Sequence, residues 1–354
     1  KNNKMMRLTI CMASLGSKND HSPKNYYMEM IVQYCHAAVK KIGPFCLWIV
    51  YAFFRKNKSK LQGSCDMMID RVCRLWRERG KGAMAVRLVA FDLDGTALKR
   101  HRALTERMRR AVLDALGAGI LVVPATGRSY MDIPEEVRAI PGIPCFLTSN
   151  GANIVDGEGR SICTDLIPWV WCVRALRILQ EYDMQPSVHM GGASVNLKTA
   201  DPRIVARYGN SDYFKRYSVE DLAGYVEEQR TDVEKIFAVL FERDRKAELT
   251  ARITSELSLG VSASGPDNIE LNSLTASKGH GLSMLCERFG IEAAQTAAIG
   301  DSINDISMLA FAGCPVAMGN AEACIKEMAG YETESCEEDG AARALERLIS
   351  GEWK

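Results

Sequence analysis

The sequence predicts an α/β fold built on an open parallel sheet, and three observations predict it. Residues 86–91, Val-Arg-Leu-Val-Ala-Phe, are a largely apolar run that ends in Asp92-Leu93-Asp94-Gly95. Residues 120–125 and residues 296–300 repeat the pattern, one ending in Thr126-Gly127-Arg128 and the other in Gly300-Asp301. Short apolar runs closed by glycine read as buried strands bounded by turns. Between the first two lies a helical pattern, and a strand, helix, strand succession of this length is what a right-handed parallel crossover needs.

The elements follow in order. Thr105 reads as the N-cap of a helix whose apolar face includes Met108, Val112, Leu113 and Leu116 and which closes near Gly117 and Gly119. Residues 143–149 give a third strand, and residues 154–156 with Asp156-Gly157 a hairpin. A helix over residues 169–182 precedes a Gly191-Gly192 break; residues 235–242 alternate like a strand, and residues 244–257 suit a helix. Residues 260–264 and 268–272 are strand-like and are expected to lead back to the first sheet. Ser277-Lys278-Gly279 opens a helix that runs to Phe289. Trp169, Trp171 and Tyr213-Phe214 are expected to be core of the intervening region, and the acidic stretch 334–339 a surface turn. No internal repeat or low-complexity tract is present.

The chemistry lies where the apolar runs end. In an open α/β sheet ligands bind beyond the strand carboxyl ends, so Asp92 and Asp94 point at that crevice. Two carboxylates about 4 Å apart repel by roughly 4 kcal/mol at an effective dielectric of 20, so one is protonated or a cation lies near them. Thr126, Gly127 and Arg128 offer a hydroxyl, an unobstructed backbone and a guanidinium, all phosphate-binding groups. Lys278 sits at a helix start, where the dipole gives a cation no reason to be. Asp301, Asn304 and Asp305 add hard oxygen ligands of the kind that suits magnesium. Each has a structural alternative: Asp-Gly makes turns, Asn304-Asp305 can cap the next helix, and Asn150 can belong to a turn.

Taken together, DLDGT at Asp92, ATGR at Thr126, SKG at Lys278 and GDSINDI at Asp301 resemble the haloacid dehalogenase (HAD) superfamily of phosphohydrolases. The spacing between Arg128 and Lys278, the SNGA turn at Asn150 and the AMGNA at residues 317–321 are similar to its Cof-type, subfamily IIB, branch. The resemblance runs from Met84 to the C-terminus. It implies a Rossmann-like core over residues 84–168 and 271–354, with an α/β cap inserted at residues 169–270. It implies that Asp92 is a nucleophile forming an aspartyl-phosphate, and that Asp94 protonates the leaving group and then activates water. Magnesium would be held by Asp92, the Asp94 backbone carbonyl and Asp301, with Asp305 behind them. Thr126, Lys278 and Asn304 would hold the phosphoryl oxygens, with Gly127, Arg128 and Asn150 alongside. The expected activity is a magnesium-dependent phosphomonoesterase acting on a small phosphorylated metabolite, a sugar phosphate by family preference. A phosphomutase or phosphotransferase on the same scaffold, or a non-catalytic binding protein, are the alternatives.

Composition agrees with this reading. The 354 residues suit two or three domains, and 47% are hydrophobic. The net charge of +1 hides an asymmetry: residues 1–83 hold 16 Lys and Arg against 5 Asp and Glu, whereas residues 84–354 hold 29 against 39. So acidic a globular part argues against a nucleic-acid partner. The 12 cysteines form no CxxC pair, which suits a reducing, cytoplasmic location. Residues 42–54 are an apolar run flanked by lysine and arginine, too short to span a bilayer. No membrane association is expected of residues 84–354. Residues 1–83 resemble no known family. They are expected to be a non-native or poorly ordered extension upstream of Met84, with a basic membrane-surface anchor as the rival reading.

Overall fold

The computed structural model describes residues 85–100, 103–208, 217–265 and 267–353. The expectations for residues 1–83 and for Tyr213-Phe214 lie outside them. Among the described residues no helix is long and apolar enough to cross a membrane.

A five-stranded, all-parallel sheet is built from β1 (Leu88–Phe91), β2 (Leu121–Pro124), β12 (Thr296–Gly300), β13 (Cys314–Ala317) and β14 (Tyr331–Glu332), in the order β14-β13-β12-β1-β2. Both faces are covered, so β1 is apolar throughout: Val89 and Phe91 join one core cluster, Leu88 and Ala90 the other. The first cluster is closed by α1 (Glu106–Gly117) and α7 (Gly340–Ser350), the second by α5 (Lys278–Phe289) and α6 (Ile306–Phe311). Thr105 caps α1 by accepting from the Met108 N–H at 3.1 Å. The chain leaves β1 toward β2 on one side and β12 lies on the other, which makes the crevice beyond β1 and β12 the switch point of the sheet.

Strand β3 (Cys145–Thr148) continues this sheet through one parallel bridge between Ala125 and Leu147, and forms an antiparallel meander with β4 (Asn153–Asp156) and β5 (Ser161–Thr164). The turn between β3 and β4 is tight: Ser149, Asn150 and Gly151 all have positive φ.

Then follows a second, mainly antiparallel sheet of six strands. It comprises β6 (Met184–Met190), β7 (Ala193–Leu197), β8 (Ser218–Val219), β9 (Lys235–Leu240), β10 (Leu259–Ser262) and β11 (Asn268–Ser273), in the order β8-β7-β6-β9-β11-β10. Helices α2 (Trp169–Leu179), α3 (Leu222–Gln229) and α4 (Lys246–Glu256) supply its apolar cover, with Trp169 and Trp171 packed against it. The strands expected to return to the first sheet, residues 260–264 and 268–272, instead complete this second sheet. Their register explains it: Ile236 faces Leu271 and Ala238 faces Ile269, so moving either strand would strip its apolar partners. The expected boundary between residues 270 and 271 therefore falls inside β11.

Alternation divides the second sheet into two unlike faces. Val188, Val195, Ile236, Ala238, Ile269 and Leu271 enter the helix-covered core. Ser187, His189, Ser194, Asn196, Lys235, Asn268, Glu270 and Asn272 occupy the other face and are buried as well. A polar face removed from water must be hydrogen-bonded, and several of its partners come from the β3–β4 turn and from the residues after β2.

Candidate active site

Asp92 is one residue past β1, and its N–H is held by the Ile299 carbonyl of β12 at 3.0 Å. Lys278 is the first residue of α5, capped by Ser277, and it is completely buried. Its Nζ donates to Asp92 Oδ1 at 2.6 Å and to Asp305 Oδ1 at 2.5 Å. The dipole argument against a cation at a helix start is answered by these two carboxylates, whose full charges outweigh the partial charge of a helix end.

Asp305 does two things at once. Its Oδ2 accepts from the Asp301 and Ser302 N–H groups at 2.9 and 3.0 Å, a capping box with Ser302, while Oδ1 holds Lys278. Capping and site-building are therefore not alternatives for this residue. Asp301 accepts from Thr96 Oγ1 at 2.7 Å and from Ser302 Oγ at 2.9 Å. Gly95 has φ +82°, and an added Cβ there would lie 2.6 Å from Asp301 Oδ2, so the loop after Asp94 passes close over this carboxylate. Asn320 anchors the same loop by donating to the Gly95 carbonyl at 2.8 Å.

Asp92, Asp301 and Asp305 each present a carboxylate oxygen within 4.8 Å of the others. Burial pushes Asp92 well above the usual carboxyl range, with Asp305, Asp301 and Asp94 adding to the effect and Lys278 opposing it. Burial and Asp305 push Asp301 up to about 6. Three acidic groups gathered in a partly desolvated site, short of positive charge and offering only oxygen, match a hard divalent cation. The cluster can hold a metal ion.

The Asp94 side chain is not part of that cluster. Arg128 Nε and Nη2 donate to its two oxygens at 2.7 and 2.6 Å, while Nη1 donates to the Asp132 carbonyl at 3.0 Å. The guanidinium read from sequence as a phosphate group thus grips the neighbouring carboxylate in this structure, a geometry that planar, two-pronged arginine favours. Thr126 is buried, and its hydroxyl accepts from the Arg128 N–H at 3.1 Å, which leaves its own hydrogen free to donate. The Thr126 carbonyl accepts from the Asn150 N–H at 3.0 Å.

Asn150, Asn304 and Gly127 lie together on the flank of this site. Asn304 Nδ2 donates to Asn150 Oδ1 at 3.3 Å, and a Cβ on Gly127 would stand 3.0 Å from that same oxygen. Sequence reading missed the groups that meet them from the second sheet. Lys235 donates to the Gly127 carbonyl and sits 3.4 Å from Glu270. Glu270 accepts from Asn150 at 2.5 Å, and Asn272 donates to the Ser149 and Glu234 carbonyls at 2.9 Å each. Glu234 accepts from Ser149 Oγ at 2.7 Å, Asn153 at 3.0 Å and the Gly192 N–H at 2.7 Å. The available signal was the alternation Asn268-Ile-Glu-Leu-Asn272, which puts three polar side chains on one strand face.

Carboxylates, a buried lysine and a glycine-backed threonine at the switch point of a parallel sheet are a layout for handling phosphoryl groups, and the comparisons agree. The chain belongs to the haloacid dehalogenase-like hydrolase family, whose model matches residues 89–345. It is similar to the 5-amino-6-(5-phospho-D-ribitylamino)uracil phosphatase YcsE of Bacillus subtilis, 28% identical over 271 residues, 75% of this chain and 96% of that one. Among solved structures it is similar to a haloacid dehalogenase-like hydrolase from B. subtilis, with TM-score 0.66, 29% identity, and 74% of this chain and 100% of that one covered. A sugar phosphatase of HAD subclass IIB shares the fold, with TM-score 0.64, 23% identity, and 74% and 99% covered.

Proposed function

We propose that this phosphatase-family chain is a magnesium-dependent phosphomonoesterase that works through an aspartyl-phosphate on Asp92. The observation that carries the reading is the Asp92–Lys278–Asp305 contact, which aims a buried carboxylate and a buried ammonium at the same crevice. Asp92 Oδ attacks phosphorus, and the ester oxygen leaves with the proton that Asp94 donates. In the second half Asp94 takes a proton from water, the hydroxide attacks phosphorus, and the Asp92 carboxylate is released with inorganic phosphate, so atoms and charge return to the start. Lys278, Thr126 and Asn304 stabilise charge on the equatorial oxygens. Arg128 donates to both Asp94 oxygens, the arrangement of a carboxylate set to take the proton from water; in the first half protonated Asp94 donates after giving up one of those two contacts.

Asp92, Asp301 and the Asp94 carbonyl would hold the cation, with Asp305 supporting them. When bound, it would neutralise the phosphate and the carboxylates that approach it. The parallel-sheet unit is the catalytic core and the second sheet its cap, the chain passing back to the core after Ser273. A small phosphorylated metabolite, with sugar phosphates first, is the proposed substrate, supported by the likeness to a phospho-ribityl compound phosphatase.

Phosphate release from a panel of phosphorylated metabolites, with magnesium and then with chelator, tests this. Turnover that depends on the cation and vanishes in Asp92→Asn is expected. An Asp92→Asn variant as fast as its parent would remove the mechanism.

A further inference from the structure

Residues 317–321, Ala-Met-Gly-Asn-Ala, have no part in the chemistry proposed above, yet they lie beside it. Strand β13 runs parallel to β12, with Ala317 opposite Gly300, so Met318 and Asp301 leave the sheet side by side. The loop that begins at Met318 is tied to both acid-bearing turns. The Met318 N–H donates to the Gly300 carbonyl at 3.1 Å, and the Glu322 N–H to the Asp301 carbonyl at 3.3 Å. Between them Asn320 Nδ2 donates to the Gly95 carbonyl at 2.8 Å, while its Oδ1 accepts from the Cys336 N–H at 2.8 Å. One side chain is thus held at both ends, with its donor spent on the loop that follows Asp94.

Gly95 is the point of that loop where an outside tie has most effect. Its φ of +82° is open to glycine, whose peptides turn with little steric restraint. The bond that closes the turn from within, Thr96 N–H to the Leu93 carbonyl, is long at 3.4 Å. On one side of Gly95 stands the Asp94 carbonyl, and on the other Thr96, whose hydroxyl donates to Asp301 Oδ1 at 2.7 Å. We infer that Asn320 is a positioning residue for the cation site: by fixing the Gly95 carbonyl it presets the Asp94 carbonyl and the Asp301 carboxylate together, although it touches neither. The inference rests on the magnesium reading and adds to it a residue outside the acid cluster. Magnesium demands near-ideal ligand geometry, and groups that orient metal ligands from behind are typically worth about 10- to 100-fold in metal affinity.

The test titrates the melting temperature of the full chain with magnesium chloride in the absence of substrate, which yields the dissociation constant. It uses the parent, Asn320→Ala and Lys326→Gln. Lys326 Nζ donates to the Gly319 carbonyl at 2.6 Å, so its replacement loosens the same loop at another point. Asn320→Ala is expected to bind magnesium about 10- to 100-fold more weakly. Because Asn320 is exposed, its melting temperature in chelator should stay close to the parent's, and saturating magnesium should restore kcat. Lys326→Gln should bind magnesium as the parent does. Affinity in Asn320→Ala within about twofold of the parent, an equal loss in Lys326→Gln, or a kcat that saturating magnesium does not restore overturns the inference and leaves the magnesium reading standing. A parent whose melting temperature ignores magnesium overturns both. Should Asn320→Ala fail to fold, Asn320→Leu, which keeps the side-chain shape without its amide, supplies the measurement.

Discussion

Arg128 holds both oxygens of Asp94, at 2.7 and 2.6 Å, so the orientation of one side chain is set by the other. Lysine cannot reproduce a two-pronged grip. Arg128→Lys is therefore expected to lower kcat by about 10- to 100-fold, on the order of what misplacing one reacting group costs, with the melting temperature of the parent nearly kept. Steady-state kinetics beside a thermal melt check this. Unchanged kcat would show that Asp94 is oriented by something else.

Lys278 is the ammonium shared by Asp92 and Asp305. Lys278→Met leaves those carboxylates buried without their cation, which costs about 3–5 kcal/mol when one partner of a buried pair is removed. Chemical denaturation should show that loss, and turnover should fall by about 10²–10³, as for removal of one transition-state donor. Replacement of Asp305 by Asn in the same background should recover part of the stability by removing the stranded charge. A double variant no more stable than Lys278→Met would refute the pairing.

The Asp301 carboxyl is pushed by burial and Asp305 from 3.8 to about 6, so the folded chain holds this proton more tightly than the unfolded chain. Below 3.8 both states carry it and the group has no effect. Between 3.8 and about 6 stability falls as pH rises, and above about 6 the whole penalty is present. Because a bound cation offsets that penalty, magnesium should raise the melting temperature more at pH 8 than at pH 5. Equal shifts at the two pH values, or a shift that survives Asp301→Asn in full, would contradict it.

Gly279 follows Lys278 in α5, and a Cβ there would stand 2.2 Å from the Ser307 carbonyl oxygen. Backbone must move to admit it, so Gly279→Ala is expected to destabilise by about 1–3 kcal/mol, the usual cost of overpacking. Gly117, at the end of α1, has open space around the same position and no positive φ. Gly117→Ala should stabilise by about 0.4–1 kcal/mol through the unfolded state. Urea denaturation of the two variants reads the opposite signs directly.

The legible parts of this chain were those written locally. The Thr105 cap, the helix from Lys278 to Phe289 and the parallel strands ending just before Asp92 and Asp301 each depend on neighbours a few residues apart, and the structure places them as expected. The sheet membership of β10 and β11 was not legible, because the choice between sheets is made by partners such as Ile236 and Ala238, more than 20 residues away. Lys235 and Glu270 escaped notice for a related reason: a lone charged residue in a strand reads as solvent-facing until something covers that face.

By itself the sequence determined the family, the parallel strands that lead to the site, and which chain positions carry acids, hydroxyls and cations, since periodicity and turn chemistry act over short spans. The tertiary structure decided the pairings: Arg128 with Asp94, Lys278 with Asp92 and Asp305, Lys235 and Glu270 with the flank of the site. Charge pairing depends on distance and burial in three dimensions, and residues 186 apart in the chain become neighbours only when helix α5 starts beside the end of strand β1.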